Sequence, residues 1–157
     1  MTFDSQLSVD EVIEVRELLE VPAARLAASR RTEETVEAMR TIITRSTSNP
    51  PSFEEFEETR GFHQLLLSGS GNKALEIMVR PMLRVLDTRI LGGGADPRFW
   101  DEVIDDHRNI AQAVEGGDGQ AAAESMRVHL EHLRVGVTSL EEWRIGPTRR
   151  NGHKPSP

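Results

Sequence analysis

The sequence predicts an all-α protein, an antiparallel bundle of helices, from three observations. Capping signals open most of the apolar stretches, those stretches repeat at three- and four-residue steps, and alternating strand patterns are nearly absent. The chain has 157 residues, 37% of them hydrophobic. That is enough for one domain with one core of ordinary size.

The elements follow in order. Ser8 and Glu11 have the spacing of a capping box, and Val12, Leu19, Ala23 and Leu26 then recur at helical steps, so a first helix runs to about Ser29. Thr32 opens a second helix, with Val36, Met39 and Ile43 on its apolar face toward Ser46. Asn49-Pro50-Pro51 breaks the chain, and Ser52 with Glu55 makes another capping box for a third helix ending at Gly69-Ser70-Gly71-Asn72. Lys73 to about Leu91 forms a fourth, with a kink expected at Pro81. Gly92-Gly93-Gly94 is a flexible connector, Asp96 and Pro97 start a fifth helix to about Glu115, and a last helix spans about Gln120 to Trp143. The domain is thus expected over 7–143, with 144–157 a Pro-, Gly- and base-rich disordered tail.

Composition narrows the function classes. Nineteen Lys and Arg against 26 Asp and Glu leave a net charge of −7, which opposes contact with a phosphate backbone. The absence of cysteine removes disulfides, thiolate ligands and a cysteine nucleophile. No run approaches the roughly 18 apolar residues of a membrane span, and no signal peptide opens the chain, so a cytoplasmic location is expected.

Polar residues that interrupt the apolar stripes are more informative. The first helix turns Val12, Arg16, Leu19, Ala23 and Leu26 to one side; the third turns Phe56, Thr59, His63 and Leu66. The fifth carries Trp100, Val103, His107, Ile110 and Val114, and the sixth Ala122, Met126, His129, Leu133 and Leu140. An unpaired buried polar group costs about 1 to 3 kcal/mol, so four interrupted stripes are best explained by groups that satisfy one another. Three imidazoles from three helices suit a divalent transition metal with positions left open for water or an anion. Arg16 in the same cavity could fork onto a carboxylate at that metal; its other reading is a surface pairing with Glu17 or Glu20. No Asp or Glu is expected inward on the histidine-bearing stripes. A metal-dependent hydrolase on the three-His site, the alternative function, therefore lacks a general base.

Weaker signals carry less. Gly69-Ser70-Gly71 lacks the Lys and the preceding strand of a phosphate cradle, and Glu54, Glu55, Glu57 and Glu58 read as a solvated helix face. Ser68 has no visible base. His132 is expected to be solvated and His153 lies in the tail. Arg89, at the foot of the Leu75, Val79, Met82, Leu86 stripe, is a second candidate for holding a ligand, against a reading as a rim salt bridge.

An ordered set of segments also resembles a known family. Glu14-Val15-Arg16-Glu17-Leu18-Leu19-Glu20 with Ala23 to Ala28, Phe62-His63 followed by Ser70-Gly71-Asn72, His107-Arg108-Asn109-Ile110 with Gly117-Asp118, and Met126 to Leu130 are similar in order and spacing to the FadR-type C-terminal effector (FCD) domain of GntR-family transcription regulators. The likeness covers about Leu7 to Leu133. It implies six or seven helices around a cavity for a small carboxylate effector, a homodimer, and a winged helix-turn-helix that reads operator DNA. That DNA-binding module would precede Leu7, where six residues stand, and is expected to be absent from this chain. The resemblance further implies a cavity metal held by one Asp and three His. His63, His107 and His129 match the histidines, whereas Thr59 stands at the Asp position. Losing that carboxylate favours a borderline metal, zinc or nickel, over manganese or magnesium; a metal-free cavity is the alternative. Arg16, Thr59, Asn72 and Arg89 are the candidate effector contacts.

Overall fold

Four of the helices, those opened by Ser8, Thr32, Asn72 and Asp118, begin where a specific side chain satisfies open backbone groups. A computed structural model describes residues 6–45, 53–91 and 97–145, with side chains over 6–45, 60–90 and 97–142. Among them lie six helices: α1 Val9–Ser29, α2 Glu33–Arg45, α3 Phe53–Gly69, α4 Lys73–Leu91, α5 Pro97–Gly116 and α6 Gly119–Ile145. The expected capping box forms at α1, where Glu11 N donates to Ser8 Oγ at 3.2 Å and Ser8 N to Glu11 Oε2 at 2.7 Å. Thr32 Oγ1 accepts from Thr35 N at 3.2 Å to start α2.

The α5–α6 turn shows why its glycine is needed. Asp118 N donates to Ala113 O and Gly117 N to Val114 O, both at 3.0 Å, the paired bonds of a Schellman ending that puts Gly117 at φ 71°. Asp118 Oδ1 then accepts from Ala121 N at 2.9 Å and opens α6. That helix runs two residues beyond the expected Trp143, so Arg144 and Ile145, assigned to the tail by sequence, are helical. The Ser52–Glu55 box, the Asn49-Pro50-Pro51 break, the Gly92 to Gly94 connector, the Asp96 cap and the remainder of the tail lie outside the described residues or side chains.

α1 is the central element, packing against α3, α4, α5 and α6. Its buried face is wider than one stripe: Val12, Ile13, Arg16, Glu20, Val21 and the alanines at 23, 24, 27 and 28 are all buried. The alanines let neighbouring helices approach closely, while Pro22 falls on the exposed flank, where the backbone carbonyl it leaves without a partner can meet water. Phe62, Leu66, Ile110, Val114, Met126 and Leu130 fill the main core beside α1, and Ala23, Leu67, Val79 and Leu83 form a smaller cluster under α4. Gly136 is required for a different reason. The Phe99 ring lies so close that a Cβ there would sit 2.4 Å from it, so the missing side chain lets α5 and α6 meet.

Candidate metal centre and effector cavity

The three histidine-bearing helices bring their imidazoles together at the middle of the bundle. His63 on α3, His107 on α5 and His129 on α6 are all buried, and one ring nitrogen from each lies within 4.8 Å of the others. His63 Nε2 is 3.2 Å from His107 Nε2 and 3.3 Å from His129 Nε2. Phe62 stacks on His107, with centroids 4.2 Å apart and 15° between planes, which fixes that ring.

Two buried carboxylates orient the rings from behind. Glu20 Oε2 lies 2.7 Å from His63 Nδ1, while Glu20 Oε1 accepts from Arg16 Nε at 2.5 Å. Burial pushes the Glu20 carboxyl up, but the charges and hydrogen bonds of Arg16 and His63 outweigh it and hold the group well below the usual carboxylate range. An ionised carboxylate only accepts, so His63 donates through Nδ1 and turns its Nε2 to the centre. On α5, Asp106 Oδ2 lies 3.3 Å from His129 Nδ1 and 2.9 Å from His132 Nδ1. Burial raises Asp106, yet these two imidazoles hold it low overall. His129, kept neutral by burial, therefore donates through Nδ1, and its Nε2 presents a lone pair.

The Nε2 atoms of His63 and His129 thus face each other across 3.3 Å, and as neutral imidazoles both would offer a lone pair to a cation between them. Protonation is resisted at His107 and His129: burial first, then the nearby imidazoles and the Arg16 guanidinium, holds His107 well below its ordinary value, and burial brings His129 down to about 4 despite Asp106. A metal fits better. Nitrogens held about 2.0 to 2.1 Å from a tetrahedral zinc lie about 3.3 Å from one another, which matches the two observed separations. The carboxylate behind each of His63 and His129 is the usual outer partner of a metal-bound imidazole.

The space around this point is small. A cavity of about 30 Å³ lies against the three histidines, walled by Leu83, Leu86, Trp100 and Val103 and by Arg16, Arg60 and Asp87. It holds about one water. A wider, open groove of about 650 Å³ between α1 and α6 is lined largely by charged residues and touches none of the three.

Other predicted residues fall in varied places. Arg16 is inward and buried, but its guanidinium is committed to Glu20. Asn72 does not line the cavity: it caps α4, its Oδ1 accepting from Ala74 N at 3.1 Å. Arg89 is also outside the cavity, 3.4 Å from Glu141 and bonded to Leu7 O, as the rim reading expected. Thr59 lies on α3 four residues before His63, outside the described side chains. His132 is partly buried on Asp106 rather than solvated, and Asp106 corrects the expectation that no carboxylate turns inward on a histidine-bearing helix. Sequence reasoning missed Glu20, Asp106, Arg60 and Asp87 as site residues. Glu20 had a signal, the i,i+4 spacing to Arg16; the other three had none, since their partners lie on other helices.

Comparison with known proteins agrees with this architecture. A family model described as FCD domain matches residues 11–132. The HTH-type transcriptional regulator LutR of Bacillus subtilis (strain 168) is 28% identical over 131 residues, which are 80% of this chain and 60% of LutR. Among solved structures, Streptococcus agalactiae GntR is similar with a TM-score of 0.70 and 21% identity over 86% of this chain and 61% of that one. E. coli McbR/YncC follows with a TM-score of 0.71 and 16% identity over 86% and 65%. The chain therefore spans roughly three fifths of the length of these relatives, and it belongs to the FCD domain family of GntR-type transcription regulators.

Proposed function

We propose that this chain is the effector-sensing and dimerisation domain of a GntR-type transcription regulator. In this reading His63, His107 and His129 hold one divalent transition metal, zinc or nickel, and a small carboxylate completes its shell. The whole protein would act in the cytoplasm as a homodimer that reaches operator DNA through a separate winged helix-turn-helix domain. The observation that carries the reading is the pair of carboxylate-backed imidazoles whose Nε2 atoms meet at 3.3 Å, with His107 Nε2 at 3.2 Å from that of His63. A bound metal would act as a Lewis acid for the ligand's oxygen. The chain's own residues orient its ligands through Glu20 and Asp106 and exclude water with the Leu83, Leu86 and Trp100 wall.

Sensing follows from the tight packing. A ligand larger than the 30 Å³ cavity must displace helix α3 or α4 relative to α5 and α6, and such a shift can bias a dimer geometry that sets half-site spacing. Membership of a regulator family favours this over hydrolysis, as does the engagement of Glu20 and Asp106 on the Nδ1 side of the rings.

Elemental analysis of the purified chain, followed by calorimetry with small carboxylates, tests the reading. About one zinc or nickel per chain is expected, with ligand affinity lost in His107→Ala. Unchanged ligand binding by that variant overturns the proposal.

A further inference from the structure

The cavity has a second ion pair that the histidine centre does not use. Arg60 Nε donates to Asp87 Oδ2 at 2.5 Å, linking α3 to α4, with side chains 20% and 14% exposed. Both residues line the same cavity as the three histidines. Arg60 precedes His63 by three positions on α3, so the two share a face with their Cβ atoms about 5 to 6 Å apart. An anion at the histidine centre is therefore within a few atoms of Arg60.

Arg16 is a poor receptor for that anion. It is buried, and the fully buried Glu20 occupies it through both carboxylate oxygens. Drawing either group away strands a charge in the core. The Arg60–Asp87 pair is joined through Arg60 Nε and keeps partial access to solvent, so exchanging one carboxylate for another on Arg60 preserves the local charge. The exchange leaves Asp87 behind. Burial already pushes the Asp87 carboxyl up, and Arg60 offsets this only in part. Without Arg60 it needs a hydrogen-bond donor, and a second ligand carboxylate beside it would be repelled.

We propose that Arg60 and Asp87 form the effector-recognition element of this cavity: the ligand's carboxylate replaces Asp87 on Arg60, and Asp87 accepts a hydrogen bond from the same ligand. The ligand class is a small monocarboxylate bearing a hydroxyl or ammonium group, with a short aliphatic body against Leu83, Leu86 and Trp100. Dicarboxylates and unsubstituted monocarboxylates are disfavoured. The assignment rests on the reading of the cavity as the effector site.

The test titrates metal-loaded protein with four matched probes, butyrate, succinate, 2-hydroxybutyrate and 2-aminobutyrate, by calorimetry, using wild type, Arg60→Gln and Asp87→Asn. Metal content and helical circular dichroism are measured for each. One substituted monocarboxylate should bind at least tenfold more tightly than butyrate and succinate, and whether it is the hydroxy or amino acid identifies the donor. Arg60→Gln should weaken it at least tenfold, and Asp87→Asn should erase the preference for the substituted probe, with metal content and helicity unchanged. Equal or tighter binding of succinate or butyrate, a preference that survives Asp87→Asn, or no binding of any probe to metal-loaded protein overturns the assignment. Failure of the underlying reading looks different: the wild-type chain takes up no metal, or His107→Ala binds the probes as well as wild type does.

Discussion

Glu20 on α1 and His63 on α3 meet at 2.7 Å with both side chains buried, and this contact decides which ring nitrogen faces the centre of the bundle. The carboxylate accepts a hydrogen bond from Nδ1 and leaves Nε2 facing the centre. Arg16 keeps that carboxylate ionised from the other side, so three residues on two helices act as one unit.

Glu20→Gln should loosen metal binding by about 10- to 100-fold, the usual cost of losing an outer partner of a metal-bound imidazole. Glu20→Ala goes further, because it strands the Arg16 guanidinium in the core. It should destabilise the fold by about 3 to 5 kcal/mol. Metal titration of the first variant and urea unfolding of the second check these expectations, and stability within about 1 kcal/mol of wild type for Glu20→Ala would contradict the buried pair.

Asp106→Asn separates orientation from folding. Asp106 also bonds to the half-exposed His132, so its loss disturbs the centre with less strain on the core. Metal affinity should fall by about 10- to 100-fold while His132→Ala has a smaller effect, since His129 keeps Asp106 in that variant. Equal losses from the two would mean that His132 matters in its own right.

Acid should destabilise the metal-free chain. His107 and His129 are held below their ordinary value of 6.5, His129 to about 4, so below pH 6.5 the unfolded chain binds protons that the folded one refuses. Stability therefore falls as pH drops from 6.5 toward 4, by an amount on the order of 3 kcal/mol for His129 alone. Urea unfolding at pH 7, 5.5 and 4.5 in chelator reads this slope. A flat profile would show that the imidazoles are not buried as neutral groups.

Metal should stabilise the folded chain by mass action, by about 2.7 kcal/mol at a hundredfold excess over its dissociation constant. The gain should vanish in His107→Ala. A melting temperature that rises equally in the variant places the metal elsewhere.

Gly136→Ala should cost about 1 to 3 kcal/mol, because its Cβ would overlap the Phe99 ring at 2.4 Å. Phe99→Leu in the same chain should recover part of the loss. Thermal unfolding of the single and double variants shows whether the close approach of α5 and α6 is the cause.

Local rules made most of the fold readable. The Ser8–Glu11 box, the Thr32 start, the Gly117-Asp118 turn and the three-four periodicity depend only on residues a few positions apart, and the observed limits of the six helices fall within two residues of those expected. The histidines were legible for the same reason, as polar breaks in apolar stripes. The wide buried face of α1 was not, because a central helix buries residues off its main stripe and Glu20 lies one position around from it. Asn72, matched through a family resemblance, has a side chain that serves the helix cap, a local role its position before α4 already allowed.

The six helices, the family and the three imidazoles were all readable from the chain, since each is encoded in short-range spacing or in an ordered set of motifs. What those groups face was set by how the helices pack. Arg16 became a buried partner of Glu20, Asp106 became the backing of His129, and Arg60 met Asp87 across α3 and α4. The physical reason is that a buried charge must be matched wherever the packing brings a counter-charge, and packing joins residues 23 to 43 positions apart that no local pattern relates.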